Sequence, residues 1–298
     1  MYVNTPLLCQ PTTTGEVWLK MECDQPTGSF KIRGMSRLVQ EAKDAGAAAI
    51  VGSSGGNAGL AVAYAAKKLA LKCHVVVPQT TPELTLERLK SLGAQVRRSG
   101  IDWSESDRVA RQLCNELGGV YAHPFDHPEI WAGHSSVIDE CAASGLMPDA
   151  VVLAVGGGGL LCGVLTGMAR AGWTGVPVFA VETHGAASLK AAMDAGGPVA
   201  LDAIDTIAIT MGARQVADRA WQWTQEHPVH SVLVSDAQAL AGCRRFADDQ
   251  RRLVEPACGA VVSAVYDGLI DARTPLVIAC GGAGVTLEML EQWRSVAV

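Results

Sequence analysis

The chain has 298 residues, of which 49% are hydrophobic and 18% charged, and its formal net charge is −6. This composition excludes a mainly disordered chain, and the length suits one large α/β unit or two lobes. The mildly acidic balance predicts that neither nucleic acid nor an anionic membrane surface is a partner.

The cysteines and the apolar segments bear on the cellular compartment. The nine cysteines are scattered and form no CxxC pair, which is not typical of a disulfide framework or a zinc site. Residues 1–8 show no basic region followed by a long apolar run, so we expect no signal peptide. Apolar stretches are interrupted by glycine or charge before about 18 residues, too early for a membrane span. We therefore expect a cytoplasmic protein that does not enter a membrane.

Short apolar runs alternate with helical patterns in the first half of the chain. Thr81 and Pro82 are expected to be the N-cap and first residue of a helix, and Asp102 with Glu105 predicts a second capped start. A further helix is expected from Asp126 to about residue 143. The predicted strands are 47–51, 72–77, 95–98 and 120–123, and a helix at 58–69 follows the first strand.

The second half continues the alternation. A strand at 150–155 leads into four glycines and a helix, and Ser235 with Gln238 predicts another capped helix. The region 183–215 is less regular and is expected to wrap around a site. The remaining predicted elements are strands at 176–181, 231–234 and 276–279 and helices at 256–269 and 285–296. Such alternation predicts an α/β fold with parallel sheets flanked by helices.

Three glycine-containing turns follow predicted strands. They are S-S-G-G-N-A-G at 53–59, the four-glycine turn at 156–159, and C-G-G-A-G at 280–284. Backbone N–H groups at a strand-to-helix turn favour anions, so we expect a phosphate or carboxylate there. The glycine spacing fits neither the dinucleotide fingerprint nor a P-loop, which argues against the alternative of a plain nucleotide-binding protein.

The segment around Lys31 is the most informative. The sequence P-T-G-S-F-K-I-R-G at 26–34 resembles the Schiff-base loop of fold-type II pyridoxal 5′-phosphate (PLP) enzymes, in particular the serine/threonine dehydratases. The loop at 53–61 resembles that family's asparagine loop, and the four-glycine turn resembles its phosphate-binding loop. V-E-P-A-C-G-A at 254–260 and V-I-A-C-G-G at 277–282 resemble two further stretches of the serine dehydratase branch. The matches follow the family's order along most of the chain.

The resemblance implies a two-lobed fold like that of tryptophan synthase β. A large PLP-binding domain is expected from residues 1–35 together with 136–298. A smaller α/β domain at 36–135 is expected to be inserted into it. The usual state of this family is a homodimer, so we expect one here.

Lys31 alone is a lysine in a short loop entering a helix. Its apolar neighbours Phe30 and Ile32 favour a lowered amine pKa and a better nucleophile. The resemblance implies that Lys31 binds PLP covalently and, once released by substrate, removes the α-proton. It also implies cofactor contacts from Phe30, Asn57, Gly156, Gly157, Gly158, Gly159, Leu160 and Cys280.

Two of these residues have alternative interpretations. Asn57 is placed by the resemblance beside the 3′-oxygen of the cofactor, but it is also a suitable helix cap. Cys280 is placed near the ring nitrogen, although a free cysteine is commonly a small core residue. A thiol does not hold a charged pyridinium as a carboxylate does, and this favours elimination over transamination. The resemblance further implies that the substrate carboxylate is bound by Ser54, Gly55, Gly56 and Asn57.

A monovalent cation site is also implied. Glu182 ends a predicted strand, and oxygen ligands suit a hard cation such as potassium. The alternative is that Glu182 caps the following helix. The backbone oxygens implied as its co-ligands belong to Gly156, Ala186, Met211 and Ala213.

The sequence departs from the family at three places. Gly55 stands where dehydratases often have Ala and serine racemases Ser, so it offers no second acid or base for racemisation and is expected to loosen the carboxylate site. Ala283 and Gly284 replace a frequent Ser-Asn pair and remove polar groups near the ring. No room for a regulatory domain remains after Val298, so we expect no allosteric control by isoleucine.

These observations predict a PLP-dependent enzyme that dehydrates and deaminates L-serine, L-threonine or both. One alternative is a β-replacement enzyme of the cysteine synthase type, although its usual T-S-G-N-T-G loop is a poorer match. A second alternative is a weakly active PLP-binding protein, suggested by Gly55 and by Ala283-Gly284. The order of preference between serine and threonine is not readable from the residues.

Overall fold

The computed structural model of the chain describes residues 1–12 and 15–295. The strands are β1 (Leu7–Pro11), β2 (Glu16–Lys20), β3 (Ala49–Gly52), β4 (Lys72–Val77), β5 (Gln95–Arg98), β6 (Val120–Ala122), β7 (Ala150–Ala154), β8 (Val178–Thr183), β9 (Val229–Val234) and β10 (Pro275–Ile278). The helices are α1 (Lys31–Asp44), α2 (Asn57–Lys68), α3 (Glu83–Ser91), α4 (Trp103–Leu117), α5 (Pro128–His134), α6 (Ser136–Ala143), α7 (Gly159–Ala171), α8 (Ser188–Ala195), α9 (Asp218–Glu226), α10 (Asp236–Gln250), α11 (Pro256–Tyr266) and α12 (Leu287–Gln292). Short 3₁₀ turns lie at Glu22–Asp24, His184–Ala186, Ile209–Met211 and Trp293–Ser295.

The described strands form two sheets. The six-stranded sheet has the order β1-β2-β10-β7-β8-β9 and is parallel except for the β1–β2 pair. The four-stranded sheet has the order β5-β4-β3-β6 and is parallel throughout. Helices connect the parallel strands, as crossovers in a parallel sheet require. The predicted α/β fold with parallel sheets flanked by helices is confirmed.

Continuous apolar strands explain this architecture. All four residues of β3 and of β10 are buried, so both faces of these strands are covered. Val51 of β3 and Val76 of β4 pack with Ala110 and Cys114 of α4. Among the described residues, no helix combines the length and apolar character that crossing a membrane requires.

Two compact units divide the chain. The first comprises Met1–Val3 and Lys31–Gly133, and it contains the four-stranded sheet. The second comprises Asn4–Phe30 and His134–Val298, and it contains the six-stranded sheet. The domain boundaries expected at residues 36 and 135 remain a prediction.

Two of the three predicted helix caps are confirmed. Oδ1 of Asp102 accepts the Glu105 N–H at 2.9 Å. Ser235 and Gln238 form a reciprocal capping box at the start of α10. The prediction for Thr81 is wrong, because α3 begins at Glu83 with Pro82 as its N-cap. The Thr81 N–H instead donates to the Pro78 carbonyl at 3.1 Å, so the chain is still in a turn there.

Other boundaries also differ from prediction. The helix expected from Asp126 divides into α5 and α6, where Gly133 packs so closely on the Arg33 and Gly34 backbone that a Cβ would lie 2.6 Å from the Gly34 Cα. The β1–β2 hairpin was not predicted, because β1 is half-exposed and short. Within the irregular region 183–215 lies the unpredicted α8. The last helix ends earlier than expected, and Val296 lies outside the described residues.

Candidate active site

Lys31 is the first residue of α1, a position that exposes its side chain at the helix start. Ile32 and Met35 behind it are buried and anchor the helix. The Lys31 amine donates a hydrogen bond to the Pro124 carbonyl, with Nζ and O 2.7 Å apart. The amine therefore has a defined position, half-buried at the start of a well-packed helix.

The residues just before Lys31 lie against the third glycine turn. Ser29 and Gly281 form an antiparallel bridge, and the Phe30 N–H donates to the Cys280 carbonyl at 3.2 Å. Gly281 has a φ of +85°, and a side chain there would collide with the Gly28 carbonyl. The structure thus brings the backbones of Phe30 and Cys280 together, and the cofactor contacts implied for them stay a prediction.

The Cys280 thiol is buried in the second unit. The pKa of Cys280 is raised well above its usual value. The largest cause is a hydrogen bond with the Cys258 thiol, and the second is burial. Cys280 is therefore a neutral thiol at physiological pH. Its burial also suits the alternative of a core residue, and its role at the cofactor ring stays a prediction.

The side chain of Glu255 binds the backbone of the third glycine turn. Oε1 of the buried Glu255 accepts the Gly284 N–H at 2.7 Å. Gly282, with a φ of +136°, packs so closely on Glu255 that a Cβ would collide with it. Glu255 was overlooked as a site residue, although it lies within the V-E-P-A-C-G-A stretch that the resemblance used.

The second glycine turn lies in the first unit, between β3 and α2. The N-cap of α2 is Gly56 and Asn57 is its first residue, so the alternative that Asn57 is an ordinary cap is wrong. The Gly56 N–H donates to Oγ of Ser54 at 3.3 Å. Because a glycine N-cap supplies no side-chain acceptor, the first N–H groups of this 12-residue helix suit an external anion.

Gly55 does not leave open space. A Cβ at this residue would lie 3.3 Å from methyl carbons of Thr81 and Val77 and 3.5 Å from one of Thr85. The space beside Gly55 is therefore close to the size of one methyl group and is lined by side chains, and the expectation that Gly55 loosens the carboxylate site stays a prediction. The argument that Gly55 offers no acid or base for racemisation is unaffected.

A polar network that sequence reasoning overlooked anchors this turn. Oγ of Ser53 lies 2.8 Å from Oδ1 of Asp107 and 2.8 Å from the Tyr121 hydroxyl, and that hydroxyl also donates to Asp107. Arg111 donates to Oδ2 of Asp107 at 2.7 Å and lies 4.2 Å from the centre of the Tyr121 ring. The i,i+4 spacing of Asp107 and Arg111 was the one signal of this network in the sequence.

Ionisation of Asp107 is favoured by this network. Burial alone raises the pKa of Asp107, but hydrogen bonds from Tyr121, Arg111 and Ser53 outweigh burial and lower it overall. The same burial, with Asp107 nearby, raises the pKa of Tyr121, so the phenol remains a donor. A charged acceptor with neutral and cationic donors is a stable support for the start of the turn.

The four-glycine turn lies in the second unit, between β7 and α7. Gly158 is the N-cap of α7 with a φ of +87°, and a Cβ there would lie 3.0 Å from a Val216 methyl and collide with Ala220. A Cβ at Gly156 would lie 3.0 Å from the Met211 Cα. The Gly157 carbonyl accepts the Ala217 N–H at 3.0 Å. Gly158 therefore admits only glycine, and a side chain at Gly156 would require the Met211 backbone to shift.

The turn has the donor set that a phosphate group requires. Gly159 and the buried Leu160 are the first residues of α7, and the glycine N-cap has no side-chain acceptor. Backbone N–H groups at a helix start bind anions without lysine or arginine. The residues present therefore fit the phosphate of PLP.

Glu182 caps a helix, as its alternative interpretation held. Its two oxygens accept the N–H groups of Leu189 and Lys190 at 2.8 and 2.9 Å, in the first turn of α8. Burial raises the pKa of Glu182 to about 7, against the two backbone hydrogen bonds and the charge of Lys190. Capping does not test the implied cation site, which stays a prediction.

The other implied cation ligands lie in the same unit. The Met211 backbone packs on Gly156 and its carbonyl accepts the Ala213 N–H at 2.7 Å. The Gly156 carbonyl accepts the Ser188 hydroxyl at 3.2 Å. Ala186 is fully buried in the 3₁₀ turn after Glu182. The region 183–215 thus does contact the four-glycine turn.

Comparison with known proteins connects these features. The family model described as "Pyridoxal-phosphate dependent enzyme" matches residues 1–281. The L-serine dehydratase/L-threonine deaminase of Bos taurus is 47% identical over 286 residues, covering 92% of this chain and 88% of that protein. The serine dehydratase-like protein of Homo sapiens is 43% identical over 310 residues, covering 99% and 94%.

A solved structure agrees with the sequence relatives. The crystal structure of a fungal L-serine ammonia-lyase from Rhizomucor miehei matches with a TM-score of 0.93 and 34% identity, covering 100% of this chain and 99% of that one. The predicted fold-type II class is therefore confirmed. Because the family model and these relatives span most of its length, the chain belongs to the pyridoxal-phosphate dependent enzyme family.

Proposed function

We propose that this chain is a PLP-dependent ammonia-lyase that converts L-serine to pyruvate and ammonia, L-threonine to 2-oxobutanoate and ammonia, or both. Relatives that bear these activities in their names cover nearly the whole chain. The observation that carries the proposal is the four-glycine turn at the start of α7. Its crowded glycines and first-turn N–H groups fit a phosphate in a family that uses PLP.

Each candidate residue has a proposed role toward the cofactor. The N–H groups of the four-glycine turn and of Leu160 would hold the phosphate, Asn57 would contact the 3′-oxygen and Phe30 would lie against the ring. When bound, PLP supplies an electron sink for the negative charge left at the substrate Cα. Cys280 would face the ring nitrogen as a neutral thiol, since the hydrogen bond with Cys258 and then burial keep it protonated. A neutral partner favours prompt loss of the β-hydroxyl over transamination.

Lys31 and the start of α2 act on the substrate. The first N–H groups of α2, with Ser54, Gly55 and Gly56, bind the substrate carboxylate. The free amine of Lys31 takes the α-proton, and the hydrogen bond from this amine to the Pro124 carbonyl supports a defined position for it. Gly55 offers no acid or base on the opposite face, so the enzyme eliminates and does not racemise.

The proposal extends to the oligomeric state, the compartment and a cation. None of the nine cysteines forms a disulfide in the described part of the chain, which suits the reducing cytoplasm. A homodimer rests on the family resemblance, and light scattering of the purified protein measures it. Potassium is proposed to bind near Glu182, since this buried carboxylate has oxygen neighbours and an elevated pKa.

A spectroscopic and product assay tests the main proposal. Purified protein with added PLP is expected to show the visible absorbance band of lysine-bound cofactor and to form oxo acid from serine or threonine. Lys31→Ala abolishes both. Lys43→Ala is the matched control, because Lys43 lies in the same helix and also donates to a backbone carbonyl, that of Leu69 at 2.6 Å.

The outcomes separate the alternatives. A band without turnover identifies the weakly active PLP-binding protein. A band with cysteine formed from sulfide and O-acetylserine, but no oxo acid, identifies the β-replacement enzyme. A wild-type protein with neither band nor oxo acid contradicts the proposed function.

A further inference from the structure

The chain makes a tight turn directly after β6, and a histidine side chain builds it. Nδ1 of His123 accepts the Asp126 N–H at 2.7 Å and the Phe125 N–H at 3.3 Å. Acceptance from the residues two and three positions onward is the geometry of an Asx turn, with imidazole in place of a carboxylate or amide. Because the ring bonds its own backbone, His123 sets the path of residues 123–126.

The carbonyl inside this turn contacts the candidate catalytic amine. Pro124 lies in the chain between His123 and the two residues whose N–H groups His123 binds. The Pro124 carbonyl oxygen accepts a hydrogen bond from Nζ of Lys31 at 2.7 Å. Proline has no N–H and a fixed φ, so the direction of its carbonyl depends on the turn around it. The amine's acceptor is thus placed through His123.

The strand register brings this turn beside the asparagine loop. Residues Val51 and Gly52 of β3 pair with Tyr121 and Ala122 of β6 in parallel. His123 and Ser53 follow these pairs at the carboxyl edge of the four-stranded sheet, where ligands of α/β proteins bind. The turn at His123 therefore belongs to the same edge as the proposed carboxylate-binding residues.

Aromatic contacts and burial keep the imidazole fixed and neutral. Its ring centre lies 4.6 Å from that of Phe125 and 6.1 Å from those of Tyr121 and Trp103, all edge-on. Burial lowers the pKa of His123 to about 4; the nearby Asp107 opposes this, whereas Arg111, Lys31 and His127 reinforce it. The ring is uncharged at neutral pH, so Nδ1 remains an acceptor and Nε2 carries the proton.

We propose that His123 is a positioning residue for Lys31: it folds the 123–126 turn that presents the Pro124 carbonyl to the free amine. This inference rests on the proposed function, in which Lys31 is released from the cofactor by substrate and then takes the α-proton. A lysine side chain has four rotatable bonds, and a fixed acceptor limits the positions that its amine occupies. The bond to Pro124 applies to the free amine, so it acts in the substrate-bound and cofactor-free states.

Two substitutions at His123 separate the acceptor from the ring. Asparagine places a side-chain oxygen where Asx turns require it, so His123→Asn keeps the acceptor and loses the aromatic contacts. His123→Leu keeps apolar volume and loses the acceptor. His127→Leu is the matched control, since Nδ1 of His127 also accepts a backbone N–H, that of Glu129 at the start of α5, at 3.2 Å.

The expected results follow from the hydrogen bond to the amine. His123→Leu lowers kcat about tenfold with KM changed less than about twofold, the effect of losing one hydrogen bond to a charged group. In the full chain stripped of cofactor, a neutral carbonyl acceptor favours the ammonium form of its donor. Half-maximal labelling of Lys31 by an amine-selective reagent, measured by mass spectrometry, then moves to a pH about 1 unit lower in His123→Leu. His123→Asn restores most of both properties, and His127→Leu changes neither.

Labelling needs no cofactor, so it tests the inference independently of turnover. If the wild type lacks the absorbance band of lysine-bound PLP, the proposed function fails. If the wild type has the band but His123→Leu and His123→Asn show equal labelling profiles, the positioning role fails. Should His123→Leu not fold, as judged by circular dichroism, His123→Gln replaces it. Glutamine carries its oxygen one bond too far for the turn, and a wild-type profile in that variant overturns the inference.

Discussion

Each compact unit holds a region of candidate site residues, and the two regions are built in different ways. At the carboxyl edge of the four-stranded sheet, side-chain hydrogen bonds hold two turns. Ser53, Asp107 and Tyr121 hold the start of the 53–59 turn, and His123 holds the 123–126 turn. At the start of α7, the four-glycine turn presents only backbone and is held by contacts with the backbone and small side chains around it.

This difference has a consequence for mutational tolerance. A single substitution in a side-chain network removes about one hydrogen bond. Each substitution should therefore weaken the support of the turn by about 1 kcal/mol. A backbone turn packed directly on its neighbours has no flexible atom to move, so a single added carbon should disrupt it as a whole. Substitutions in the two regions test this contrast.

The largest effect is expected at Gly158. In Gly158→Ala, residue 158 must adopt a φ of +87°, and its added methyl collides with Ala220. We therefore expect the unfolding free energy to fall by about 3 kcal/mol and measurable PLP binding to be lost. Gly172→Ala is the matched control at the other end of α7, with a φ of +78° and open space around the Cβ. It should cost only about 1 kcal/mol. Urea unfolding and PLP titration measure both, and equal losses in the two variants would contradict the packing argument.

The next effect concerns the pH dependence of stability through Glu182. Its folded-state pKa of about 7 exceeds the ordinary value of 4.5, so the folded state binds more protons between these values. The contribution of Glu182 to the free energy of unfolding is therefore greatest below about pH 4.5. It falls by about 2 to 3 kcal/mol as the pH rises through 7. Glu182→Gln should remove this dependence.

Potassium makes the same experiment a test of the cation proposal. A cation binds the ionised carboxylate, so potassium should raise the melting temperature at pH 8 and leave it unchanged at pH 5. Tetramethylammonium at equal ionic strength is the control for screening. A wild type with the predicted pH dependence but no response to potassium rules out the cation site and leaves the burial argument intact.

A smaller effect is expected in the side-chain network. Asp107→Asn keeps an acceptor for Ser53 and Tyr121 but turns an amide toward Arg111, so we expect kcat/KM to fall about five- to tenfold and stability by about 1 kcal/mol. Because the pKa of Asp107 is lowered, its contribution to stability is present at neutral pH and is lost as pH falls through the folded-state value. Asp194→Asn, in the exposed pair with Lys190, should leave both quantities unchanged.

The same contrast explains what the sequence could and could not predict. Glycine turns after apolar strands are local patterns, so the parallel sheets, the turn at 156–159 and the caps at Asp102 and Ser235 were predictable. The network of Ser53, Asp107 and Tyr121 joins residues up to 68 positions apart, and only the sheet register brings them together. Single-sequence patterns contain no information on such pairs.

Boundaries failed where a neighbouring turn or a tertiary contact overrides the preference of a single residue. Thr81 has the residue type of a cap, but its N–H is used by the preceding turn. Gly133 interrupts a helical pattern because the chain packs backbone to backbone there. The surroundings of Gly55 were not predictable for a related reason, since the side chains that line the space beside it come from β4, from Thr81 in the turn after β4, and from α3.

Gly55 gives the smallest expected effect and the finest test. In Gly55→Ala, the methyl lies 3.3 Å from the methyl carbons of Thr81 and Val77, which must yield by a few tenths of an ångström. The lost chain entropy of glycine favours alanine by about 0.4 to 1 kcal/mol, so the two terms nearly cancel and stability should change by less than about 0.5 kcal/mol. The double variant Gly55→Ala with Thr81→Ser removes one crowded methyl and should exceed both the wild type and the single variant in stability. Thermal unfolding of the three proteins measures the order. If Gly55→Ala alone is the most stable of the three proteins, the Thr81 methyl does not crowd the added Cβ. The packing beside Gly55 then tolerates an added carbon without any rearrangement, which contradicts the crowding inferred from the distances.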